Sequence, residues 1–126
     1  MKNIIPSTLI FAALAISGCA MDNQPSADNF ERISTEAQFV EVMQRGAVLG
    51  GGGIVTLSEN RWTVIRDDSL VAEGTWEWDA GRWCRTGSMA TGAQLERECQ
   101  IYEISGNQLR ITSPGNRVQL AELIQS

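Results

Sequence analysis

Gly74-Thr75-Trp76-Glu77-Trp78-Asp79-Ala80-Gly81-Arg82-Trp83-Cys84-Arg85 is the stretch that decides the fold. Aromatic and polar residues alternate as far as Trp78, a turn signal follows, and a second strand-like run opens at Arg82. Alternation with period two marks a strand with one buried face. Trp76 and Trp78 therefore share a face that reads as core, and Thr75 and Glu77 take the other. Asp79-Ala80-Gly81 fits a three-residue hairpin in which Gly81 supplies positive φ. Trp83 directly precedes Cys84, so the two point to opposite faces, and Trp83 is expected to be partly exposed.

The same rhythm extends in both directions. Strand-like runs cover roughly 54–57, 61–66, 70–78, 82–88, 95–104, 108–112 and 117–123, separated by short turn signals such as Asp67-Asp68-Ser69 and Ser105-Gly106-Asn107. Trp62 and Val64 share a face on the run before the decisive hairpin. Connections this short leave no room for crossover helices, so the sheet is antiparallel. The expectation is a mainly β domain: an antiparallel meander of about seven strands, as a small barrel or a strongly curved sheet. A short helix over 35–45 precedes it. Thr35 with Gln38 makes a capping-box signal, Ser34 being the alternative cap, and Phe39, Val40 and Met43 cluster on one face. Gly46 is the stop. Gly50-Gly51-Gly52-Gly53 lacks the Lys-Ser/Thr of a phosphate loop and runs into a strand, so it reads as a hinge or a close backbone approach.

The N-terminus has a different character. Lys2, the apolar run Leu9–Ile16 and the small residues Ser17 and Gly18 form the pattern of a secretory signal peptide. The run is too short to span ~30 Å of hydrocarbon as a helix. Ile16-Ser17-Gly18-Cys19 resembles the lipobox of bacterial lipoproteins. That resemblance implies cleavage before Cys19, a lipid anchor on its sulfur in the cell envelope and, with Ala20 rather than Asp next, a place on the periplasmic face of the outer membrane if the cell has one. The expected organisation is a signal peptide over 1–18, a lipidated flexible tether over 19–29 and one β-rich domain over 30–126.

The net charge is −5. Loss of Lys2 leaves nine Arg against fifteen acidic residues, a mature charge of −6. No basic run is present, which argues against nucleic acid as a partner. With Cys19 taken by lipid, Cys84 and Cys99 remain, and in an exported protein this pair reads as a disulfide. The chain contains no His, so neither a zinc site nor the commonest general base is expected. Neither a metal nor any other cofactor is expected.

Candidate chemistry is sparse. Asp67, Asp68, Glu73 and Glu77 could supply a carboxylate pair, but they read as turn and solvent-facing strand residues. Arg66, Arg82, Arg85 and Arg97 could converge on an anion, but arginines on adjacent strands more often pair with neighbouring acids. Trp83, Arg85 and Trp62 are the candidate interaction surface, as aromatic side chains commonly anchor recognition.

Gly74-Thr75-Trp76-Glu77-Trp78, then Trp83-Cys84-Arg85, Cys99-Gln100 and Gly106 resemble a group of small bacterial envelope proteins without assigned activity. The resemblance spans about residues 70–112 and implies a lipocalin-like β-fold with a Cys84–Cys99 bridge. A weaker resemblance is to small periplasmic inhibitors of secreted metalloproteases. These insert a free N-terminus into the protease, whereas lipidation would block it here. Three functions follow in order: a lipid-anchored, non-enzymatic module binding a protein partner or a small apolar ligand, a protease inhibitor acting through its loops, and a carboxylate enzyme. An open apolar cavity lined by Trp would favour the small ligand.

Overall fold

The computed structural model describes residues 29–125. The expected signal peptide, Cys19 and the expected tether as far as Asp28 lie outside the described residues. Nine strands and one helix follow in the order β1 (Glu31–Arg32), α1 (Glu36–Met43), β2 (Ala47–Leu49), β3 (Ile54–Ser58), β4 (Arg61–Arg66), β5 (Ser69–Asp79), β6 (Arg82–Met89), β7 (Gln94–Ser105), β8 (Gln108–Ser113) and β9 (Arg117–Leu123).

Strands β2 to β9 form an antiparallel meander in which each pairs with the next, and β9 closes onto β2. The closing register is Ala47↔Leu123, Val48↔Glu122 and Leu49↔Ala121. The fold is therefore a closed eight-stranded barrel, not a curved sheet, and closure removes the exposed edges that an open sheet would present. The ninth strand, β1, pairs with Glu103 and Ile104 of β7, beyond the point where β6 begins. β1 and β2 were not expected from the sequence. They have two and three residues, too few to show a period, and only their pairing defines them.

Turns fall alternately at the two ends of the barrel. Asp79 pairs directly with Arg82, so the decisive hairpin has two central residues rather than three. Ala80 and Gly81 both adopt positive φ, 52° and 77°. This is the combination that a two-residue hairpin matched to strand twist requires. The four-glycine stretch is the β2–β3 turn. A Cβ on Gly53 would lie 2.8 Å from Val64 Cγ1, so close approach is what this position demands.

Helix α1 plugs the end of the barrel that carries the β3–β4, β5–β6 and β7–β8 turns. It begins as expected at Thr35, whose hydroxyl accepts from the Gln38 N–H at 3.2 Å, while the Gln38 side chain accepts from the Ser34 N–H. The reciprocal pair is a capping box with Thr35 as cap. Eight residues cannot hold a helix in water by themselves. Phe39 holds this one: it is fully buried, with its ring 4.9–6.0 Å from those of Trp76, Trp78, Trp83 and Tyr102. Arg45, just past the helix, donates to the Ile124 carbonyl and to Asn107 Oδ1, which ties the plug to that rim.

Cys84 and Cys99 are directly paired across β6 and β7 and form the expected disulfide, with Cα atoms 4.0 Å apart. Their neighbours Trp83 and Gln100 are paired on the opposite, inward face. Among the described residues no helix is long and apolar enough to cross a membrane.

Candidate functional site

The four tryptophans all come from the central strands β4 to β6, and their placement follows from register. Trp78 is directly opposite Trp83, and Trp76 directly opposite Arg85. Directly paired residues share a face, so Trp76, Trp78, Trp83 and Arg85 all point into the barrel. Trp62 joins them from β4.

This corrects the expectation for Trp83. It does face away from the disulfide, but the disulfide is on the outside, so Trp83 is inside and only 4% exposed. Trp62 is likewise 3% exposed. Neither offers an outer recognition surface. The structure nevertheless brings all three residues of the expected surface together, as the inner wall of a cavity.

That cavity has a volume of about 260 Å³ and is partly open. Leu49, Val55, Val64, Met89 and Leu95 supply much of its apolar wall, with Trp62, Trp83 and Tyr102 towards the helix. Its lining residues reach to the ends of β2 and β6, so it occupies the half of the barrel away from α1. Small residues help make the space: Ala72 contributes only a methyl to the wall. Val71 enters it through a bulge, because Leu70 and Ala72 pair with the successive residues Ile65 and Val64.

A pair of glycines positions Trp62. Gly74 and Gly87 face each other on β5 and β6. A Cβ on Gly87 would lie 2.2 Å from the Glu73 carbonyl oxygen and 2.8 Å from the Trp62 ring. One on Gly74 would lie 1.9 Å from the Thr86 oxygen. The bare backbone lets the indole lie against the sheet, and its N–H donates to the Thr75 and Thr86 carbonyls at 3.2 and 3.1 Å. By contrast, the buried indole N–H groups of Trp76 and Trp83 have no acceptor among the described residues.

The polar part of the wall centres on Arg85. Its guanidinium lies over the Trp62 ring, 5.9 Å from the centroid. It donates to Glu98 Oε2 at 2.7 Å and to the Glu96 carbonyl at 3.1 Å. The latter bond spans the irregularity between Arg85 and Gly87 in the β6–β7 pairing. Glu98 also accepts from Arg117 and from Gln100, and Gln100 donates in turn to Ser113. Burial pushes the Tyr102 hydroxyl well above its usual range, with the charge of Arg85 opposing the shift.

The other candidates are surface features. Arg97 pairs with Glu77 and Asp79 on the outer face, and Arg61 lies 3.9 Å from Glu73. Asp67 and Asp68 are the two central residues of the β4–β5 turn, both at positive φ. Arg66 donates to the Gly51 carbonyl, which links two turns of the open end. No group of three acidic or cysteine residues that could hold a metal occurs among the described residues.

The molecule is thus an up-and-down antiparallel barrel, helix-plugged at one end, with an apolar cavity in the other half. No family model, curated protein or solved structure matches this chain.

Proposed function

We propose that the chain is a lipid-anchored cell-envelope protein, held through Cys19, that binds a small apolar ligand inside its barrel. The cavity is the observation that carries this reading. At ~24 cal/mol per Å³, an enclosed void of 260 Å³ would cost roughly 6 kcal/mol. That is an upper bound for a partly open space, yet it is comparable to the whole stability of a small domain. Space on that scale is not a minor packing fault, since a dry apolar cavity of ~150 Å³ already takes benzene.

Toluene is the direct probe. Added to the exported chain, it should perturb tryptophan fluorescence and raise the melting temperature. Ala72→Leu, which fills the cavity from β5, should abolish both effects while leaving the barrel folded. Absence of toluene binding to the native chain, or binding unaffected by Ala72→Leu, would overturn the reading. The anchor is tested separately: Cys19→Ala should move the protein to the soluble fraction or stall its processing. A processed and still membrane-bound variant would contradict the anchor.

A further inference from the structure

Resting on the cavity reading above, we infer that the ligand is a small apolar molecule carrying a single carboxylate, which lies beside Arg85. Arg85 is the one charged residue among those lining the cavity, and no carboxylate lines it. Its guanidinium is largely withdrawn from water, with the side chain 16% exposed. A charge in an apolar wall is costly unless it is paired, and Glu98 pairs it. Glu98, however, serves two cations, because Arg117 reaches its other oxygen from the β9 side. The Arg85–Glu98–Arg117 group therefore carries one positive charge in excess, against the negative charge of the chain as a whole.

The excess charge is divided between Arg85 in the cavity wall and Arg117, which is 71% exposed and outside the lining, and at Arg85 it favours one negative charge on an apolar body. Arg85 already donates through Nη1 to the Glu96 carbonyl and through Nη2 to Glu98, so a ligand carboxylate takes its remaining N–H groups. The volume confines the body to an aromatic ring or a short alkyl chain, since a cavity of ~150 Å³ takes benzene. A neutral isostere would fill the same space without engaging the excess charge.

Phenylacetate, phenylacetamide and toluene separate these contributions when titrated into the exported chain by calorimetry. Phenylacetate should bind about ten- to a hundredfold more tightly than phenylacetamide, the range for a hydrogen bond to a charged group. Glu98→Gln should widen that ratio by raising the excess charge. Arg85→Met should erase it, and Glu98 keeps Arg117 as its partner in that variant. Should Arg85→Met fail to fold, the exposed Arg117→Gln should still narrow the ratio. Toluene binding with no preference for phenylacetate would overturn the carboxylate inference and leave the cavity reading standing. So would a preference indifferent to Glu98→Gln and Arg117→Gln. If none of the three compounds binds, both fail.

Discussion

At the scale of single residues, Trp83 shows how much depends on which face of a strand counts as inside. Its ring packs with Phe39, Trp62 and Tyr102 at centroid separations of 5.8–6.1 Å. Trp83→Ala should therefore destabilise the barrel by ~3–5 kcal/mol, the range for removing a buried large aromatic. Trp76→Ala, from the same inner face, should cost a similar amount. Denaturant unfolding of both variants checks this, and a Trp83→Ala protein as stable as the parent would refute the core assignment. Tyr102 gives a pH signature. Its hydroxyl pKa is raised on folding from an ordinary value of 10. Above pH 10 the unfolded chain loses this proton and the native barrel keeps it, so stability falls as pH rises beyond that point. Below it, both states are neutral at this residue and it adds no slope. Tyr102→Phe should remove this part of the alkaline destabilisation, as read from melting temperatures between pH 9 and pH 11.

At the scale of elements, the β5–β6 hairpin carries both the tryptophans and the glycines that make room for them. Gly74 and Gly87 are needed for space rather than for an unusual φ, because neither has a positive φ. Gly87→Ala forces a methyl into the Glu73 carbonyl and the Trp62 ring. It should cost at least the ~1–3 kcal/mol typical of overpacking. The Trp62 indole N–H resonance should move as its two carbonyl acceptors shift. An unchanged melting temperature and an unchanged indole resonance would show that the strands have slack there. The helix was legible because capping is local: Thr35 and Gln38 are three residues apart. That the same helix would plug a barrel was not legible, because Phe39 finds its partners on β5, β6 and β7.

At the scale of the whole molecule, the Cys84–Cys99 bridge staples the middle of the β6–β7 pair, with a sequence separation of 15 residues. A loop of that length corresponds to ~3 kcal/mol in the chain-entropy model. The double variant Cys84→Ser, Cys99→Ser should lose about that much while keeping the barrel, because the strands beside it remain paired by backbone hydrogen bonds. Calorimetry on parent and variant measures the difference, and equal stabilities would mean that the bridge contributes nothing. Three further arginine–carboxylate groups, Arg97 with Glu77 and Asp79, Arg110 with Glu103, and Arg61 with Glu73, lie on or near the surface. The exposed groups of Arg97 and Arg61 contribute little individually, whereas Arg110 holds Glu103 through two parallel hydrogen bonds with both side chains only 21% exposed, the stronger geometry.

Local order in the sequence determined the runs of β3 to β9, their antiparallel sense, the helix cap, the facing of Trp76 with Trp78 and the pairing of the two cysteines. Each depends on a period of two, a turn of a few residues or a count of thiols, and all of these can be read along a line. Only the tertiary structure decided that the sheet closes, because closure rests on β2 meeting β9 across more than half the chain. It also decided what closure entails. Once the barrel shuts, the face opposite the disulfide becomes the interior. Trp83, Trp62 and Arg85 then line a cavity instead of a surface, and Glu98 is left between Arg85 and Arg117, two cations from strands far apart in sequence.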